Sequence, residues 1–244
     1  MRTLSSSIDS KNPRHILAVI IMIMTLFYIF GLPALNLLNL TGETTAPLIN
    51  KGGYEQRILS QILFNTLVMI GSVFLWLKLV HDNNLVEILR SLRLKEVKNT
   101  HLAVVYGIST ALFFMLGMMF VMFLIYILTG FKQENRLALW IGESLSWIGI
   151  LIVSVLSAFS EEIFFRGYLQ ERIGLFPAAI LFGFAHISYQ NIVQVVAAAA
   201  FGILLGFLLI RTKNLYSTIS AHFSFNLIQL TFIKIVTASF QIFI

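Results

Sequence analysis

Seven apolar stretches, parted by short polar loops, run the length of this chain. A polar segment, Met1 to His15, precedes the first stretch, which extends from Ile16 to about Leu38. That run is too long for a signal-peptide core, and no small-residue cleavage site follows it, so it reads as an uncleaved membrane helix. Gly31 and Pro33 predict an irregularity near its end, because proline lacks an amide hydrogen and crowds the preceding turn. Spans are expected next over about Ile58–Val80, Leu102–Leu128 and Leu145–Gln170, since roughly 20 apolar residues cross a hydrocarbon core. Gly174 and Pro177 mark a turn into a shorter fifth run, about Phe176–Ser188. The sixth, Ile192–Ile210, carries Ala197 to Ala200, Gly202 and Gly206, small residues that let helices approach closely. A seventh begins at Leu215, and the sequence to Ile244 accommodates one long helix or a helix and a short eighth. Loops are expected over Asn39–Arg57, with a turn at Lys51–Tyr54, and over Thr129–Glu143. Between spans two and three, the spacing of Leu85, Ile88, Leu89, Leu92 and Leu94 predicts a short amphipathic helix on the membrane surface.

Composition agrees with the pattern. Of 244 residues, 58% are hydrophobic and 11% charged, against about 25% charged in a soluble domain. With no long polar block, residues 1–244 read as a single integral membrane domain. The expected fold class is an all-α polytopic transmembrane bundle of about seven to eight transmembrane helices. The absence of cysteine excludes disulfides, thiol nucleophiles and thiolate metal sites. The net charge of +6 does not call for nucleic acid, because the cations sit in loops beside apolar runs. With the N-terminus inside, Arg2, Lys11, Arg14, Lys78, Arg90, Arg93, Lys95, Lys98, Arg166, Arg172, Arg211 and Lys213 fall on the inner side. Lys51, Arg57, Lys132, Arg136 and Lys234 fall on the outer. The positive-inside rule then places the N-terminus in the cytoplasm, in a plasma membrane, or an endomembrane in a eukaryote.

The chemistry lies in the fourth run, where Ser157 to Leu169 reads SAFSEEIFFRGYL. Ionisable groups at membrane depth are costly and mark function by default. At helical pitch Glu162 and Arg166 can pair, while Glu161 is turned about 100° away and is left to act. At about 1.5 Å per residue, Glu161 lies roughly 20 Å from Gly174 and His186 roughly 18 Å. By the same rise His222 and Asn226 lie roughly 12 and 18 Å from Asn214. Three helices thus bring polar groups to similar depth from one side. A carboxylate helped by an imidazole can deprotonate water, and a histidine and an amide can donate to an oxyanion. Glu161, His186 and His222 could instead hold a divalent metal such as zinc, although the HExxH pattern of zincins is absent.

Three motifs carry a resemblance. Glu161-Glu162-Ile163-Phe164-Phe165-Arg166-Gly167, then Phe182-Gly183-Phe184-Ala185-His186, then His222-Phe223-Ser224-Phe225-Asn226, are similar to those of the CPBP (CAAX protease and bacteriocin-processing, or Abi) intramembrane proteases, in the family's order. The resembling core is about residues 145–232. The resemblance implies that Glu161 activates water, His186 assists, His222 and Asn226 form the oxyanion site, and Glu162 with Arg166 orient the base. It leaves open whether the protease is of the metallo or the glutamate type.

The leading expectation is an intramembrane endopeptidase acting on a membrane-anchored protein, of the prenylated CAAX type, or on a small membrane peptide. Two other classes stay open: a non-catalytic scaffold or bacteriocin-immunity protein of the same fold, and an ion-coupled transporter, because buried Glu, Arg and His also serve relays.

Overall fold

The computed structural model describes residues 8–39, 53–131, 140–141 and 143–241. Most of the Asn39–Arg57 loop, including Lys51 and Gly52, and most of the Thr129–Glu143 loop lie outside the described residues. Eight helices and no strands form the described chain, and six of the helices are long and apolar enough to cross a membrane. The protein is a multi-pass helical membrane protein.

Helix α1 begins at Pro13–Leu26, widens into a π-helical turn at Phe27–Gly31 and continues over Leu32–Asn39. Asn12 caps its start by accepting from the Arg14 amide at 3.0 Å. The widened turn stands just before Pro33, where the irregularity was expected: the Leu32 amide reaches back to Phe27 O. Helix α2 (Tyr54–His81) pairs with α1. Helix α3 (Leu85–Ser91) is the expected amphipathic piece. Asn84 and Glu87 close it with a capping box, and Ile88 and Leu92 turn inward while Leu85 is left exposed. Beyond it Arg90 pairs with Glu96 on the surface, which holds the Glu96 carboxyl below its usual range.

Helix α4 (Thr100–Thr129) packs on α8 (Leu215–Gln241), which is one continuous helix and resolves the choice left at the C-terminal end. Helix α5 runs as Trp147–Glu161, then as a π-helical segment Glu162–Leu169, then Gln170–Ile173. Ser146 caps it, accepting from the Gly149 amide at 3.0 Å, while its own amide donates to Glu55 of α2 at 2.9 Å.

The fifth apolar run differs from a full span. Helix α6 (Leu175–Phe184) has ten residues, followed by a 3-10 turn at Ile187–Tyr189. Ten residues rise only ~15 Å, about half of a hydrocarbon core. Irregular backbone at that depth is tolerated where protein buries it or where it lines a wet cavity. Helix α7 (Ile192–Thr212) returns against α6. Two of the small residues expected to allow this do so: a Cβ on Gly202 would sit 3.2 Å from Ala179 Cα, and one on Gly206 would sit 2.8 Å from Leu175 Cγ.

One end of the bundle is tied by polar contacts among the α3–α4 loop, the end of α5 and the α7–α8 turn. Arg93 pairs with Glu171, Leu215 N donates to Arg93 O at 3.2 Å, and Asn214 Nδ2 donates to Lys98 O at 3.3 Å. At the other end Glu55 meets Ser146 and Lys234 Nζ donates to Leu145 O.

Candidate functional site

Helix α5 is the only described span of which more than half of the most apolar window is buried, at 56%. Its π-helical segment is buried on every side, from Glu162 through Leu169. A π-helical turn closes i→i+5 bonds, and such turns collect at functional sites. Here the Gln170 amide reaches Phe165 O. The expected pairing survives the wider winding. Glu162 Oε1 stands 3.1 Å from Arg166 Nη1, with both side chains almost wholly buried.

Glu162 does more than pair with arginine. His222 Nδ1 lies 2.9 Å from the same Oε1. A carboxylate only accepts, so Nδ1 carries the proton and donates. The ring is thereby oriented and Nε2 is the nitrogen left for other work. With Nδ1 donating to Glu162, Nε2 donates as well only when the ring carries both protons.

His186 is fixed in a parallel way. Its Nδ1 lies 2.9 Å from Phe182 O, one turn earlier on α6. A carbonyl also only accepts, so the neutral ring holds its proton on Nδ1 and presents Nε2 as acceptor. The end of α6 supplies that carbonyl, because the last carbonyls of a helix have no intrahelical partner. Asn226 Nδ2 donates to Ser157 Oγ at 2.9 Å, which fixes the amide plane and leaves its second N–H for another acceptor.

Phe182 ties these groups together. Its ring centroid is 4.9 Å from that of His186, 5.7 Å from that of His222 and 5.1 Å from that of Phe165. The Arg166 guanidinium carbon lies 4.0 Å from the Phe182 centroid, in cation–π range. Phe182 has no role in the sequence reading beyond opening the second motif. Ser157 and Phe201 were also missed; Phe201 stands 6.0 Å from His222, centroid to centroid. The available signal for Ser157 was its place one helical turn before Glu161.

Glu161 lies beside this cluster, within electrostatic reach of His186. Its Oε2 is buried and has no hydrogen-bond partner among the described residues. The same holds for Glu162 Oε2 and for both Nη atoms of Arg166, whose approach to Glu162 is close but not aligned for a hydrogen bond. Buried polar groups are normally satisfied, and these four unsatisfied atoms belong to three residues within six positions of α5. The six residues read from the sequence come from α5, from the turn after α6 and from α8, with Glu162 on both Arg166 and His222 and with Phe182 against both imidazoles. Among the described residues no three His, Asp or Glu side chains are grouped so as to hold a metal ion. Glu161, His186 and His222 do not form a ligand cluster as placed, and the zinc reading rests on the sequence alone.

Comparison with known proteins points to the same stretch. Part of the chain is similar to the uncharacterized protein YpbD of Bacillus subtilis (strain 168), 37% identical over 75 residues, which is 30% of this chain and 40% of that relative. The matched segment thus spans less than half of the curated relative's length. No solved structure matches the chain. Residues 143–228, the third of the chain that contains Glu161, Glu162, Arg166, His186, His222 and Asn226, match the family model described as type II CAAX prenyl endopeptidase Rce1-like.

Proposed function

We propose that this protein is an intramembrane endopeptidase that cleaves near the C-terminus of a membrane-anchored protein of the prenylated CAAX type, or within a small membrane peptide. The observation that carries the reading is the buried Glu161 carboxylate oxygen without a hydrogen-bond partner among the described residues, within electrostatic reach of the His186 imidazole, which is held through Nδ1.

Glu161 takes a proton from water, and His186 Nε2 orients that water by accepting its other hydrogen. The water oxygen bonds to the peptide carbonyl carbon. The spare N–H of Asn226 and the Nε2–H of an imidazolium His222 receive the developing oxyanion. The C–N bond then breaks as the proton held by Glu161 passes to the leaving nitrogen, giving an amine and a carboxylic acid that keeps the second hydrogen of the water until it ionises. Glu162 has two tasks: it balances Arg166 and orients His222. The polar end that holds Arg93, Lys95, Lys98, Arg172, Arg211 and Lys213 faces the cytoplasm by the positive-inside rule, with the N-terminus on that side.

The test compares peptide termini in membranes that express the wild type or Glu161→Gln at matched levels. General acid–base catalysis contributes about 10²–10⁴-fold, so termini made by the wild type should fall by that factor in the variant while detergent melting curves stay superposed. Identical termini in both would refute the assignment of the base. A phenotype unchanged by Glu161→Gln would favour the scaffold reading, and substrate flux in proteoliposomes the transporter reading.

A further inference from the structure

The second motif ends at His186, yet the backbone turn after it bears directly on that imidazole. Tyr189 stacks on the ring with centroids 5.8 Å apart and planes 26° apart. Phe182 meets the ring edge-on from within α6, at 4.9 Å and 62°. The imidazole is therefore held between two aromatic rings, with Nδ1 tied to Phe182 O. The Tyr189 amide donates to His186 O at 3.1 Å, which keeps stacking ring and imidazole in one tight turn. Gln190 then takes a left-handed φ of 51°, its amide bonded to Ile187 O at 3.0 Å. A residue other than glycine in that conformation is uncommon and persists where the surroundings fix it.

The surroundings come from outside the matched segment. The far section of α1, Leu32–Asn39, packs against Ile187–Tyr189. The π-helical turn of α1 lies between that section and Pro13–Leu26, and from it Phe30 meets Phe165, one residue before Arg166, with centroids 6.3 Å apart. Helix α1 thus touches the site region twice, once on α5 and once on the turn that carries Tyr189. The stacking contact on His186 engages the ring of Tyr189, the part of this side chain that the geometry employs.

We propose that Tyr189 is a positioning residue: its ring, backed by α1, holds the His186 imidazole in the orientation and tautomer that leave Nε2 for the water beside Glu161. This rests on the endopeptidase reading for its catalytic consequence, but the ring clamp is measurable without any substrate.

The experiment uses the full chain in lipid nanodiscs, labelled with 15N-histidine, with the His186 signals assigned by their loss in His186→Gln. In the wild type and in Tyr189→Phe, His186 should show a single Nδ1–H tautomer. In Tyr189→Leu it should show a mixture of the two neutral tautomers. Turnover of a substrate identified through the Glu161 comparison supplies the second readout. Tyr189→Phe should stay within about twofold of wild type, whereas Tyr189→Leu should lose ~10–100-fold in kcat with KM little changed, the scale of a small misplacement of a reacting group. If Tyr189→Leu does not fold, Tyr189→Met removes the ring at similar length and is read in the same way. An unchanged tautomer and kcat in the ring-less variants would overturn the proposal. So would a Tyr189→Phe that falls as far as Tyr189→Leu, since that would place the effect in the hydroxyl. A wild type without peptidase activity would defeat the endopeptidase reading alone, and the tautomer measurement would still decide the clamp.

Discussion

Helices α4 and α5 are both long apolar runs, yet they meet opposite surroundings. Of the most apolar window in each, 6% of α4 is buried and 56% of α5. Beyond Ala111, α4 turns large side chains outward, with Phe113 72% and Leu128 79% exposed. That surface suits lipid tails, where any apolar shape serves. Helix α5 turns Glu162, Arg166 and Tyr168 into protein at 2% exposure or less. Hydropathy measures transfer out of water and is blind to whether the receiving medium is lipid or protein. The difference lies in what each helix must satisfy: α4 has no buried charge, and α5 buries Glu162 and Arg166, whose neighbours include Phe182 of α6 and His222 of α8.

The contrast can be broken at its strongest point by Arg166→Leu. Removing one partner of a buried ion pair leaves the other charge uncompensated, a loss of about 3–5 kcal/mol. Thermal or denaturant unfolding in detergent should show it, and the double variant with Glu162→Leu should recover much of the stability while staying inactive. Asn226→Ala tests the catalytic side. If Asn226 is the oxyanion donor proposed above, kcat should fall by about 10²–10³ with the melting temperature changed far less. Phe113→Leu on α4 sharpens the opposite side of the comparison. A lipid-facing change between apolar residues should alter stability by less than about 0.5 kcal/mol and leave turnover unaltered. Smallest of all is the exposed Arg90–Glu96 pair. The folded-state carboxyl of Glu96 lies below its unfolded value, so its stabilisation is present above the unfolded pKa and is lost as pH falls through the folded one. Exposed pairs contribute little, so acid titration of wild type and Glu96→Gln should give nearly superposed stability curves that part only above that range.

Part of this architecture was legible in the residues. The long spans, the short amphipathic α3, the irregularity at Gly31 and Pro33 and the close packing through Gly202 all follow from local rules: run length, spacing of leucines, the missing proline amide and the missing glycine side chain. The similar depth of Glu161, His186, His222 and Asn226 was also legible, because a helix rises by a constant amount per residue. The truncation of α6 was less so. Phe176 to Ser188 is apolar apart from His186 and Ser188, and only its length hinted that it does not cross in full.

What the sequence determined by itself is therefore the set of helices and the depth of each polar group, since both depend on the chain's own periodicity. Only the tertiary structure decided which groups meet. It gave Glu162 to His222 as well as to Arg166, tied Asn226 to Ser157, and placed Phe182 among two imidazoles and a guanidinium. It wound Glu162–Leu169 as a π-helix and set Tyr189 against His186 with α1 behind it. Depth along an axis is a property of one helix; facing is a property of two. Facing depends on the rotation and close approach that packing imposes, and those arise from contacts between segments far apart in the chain.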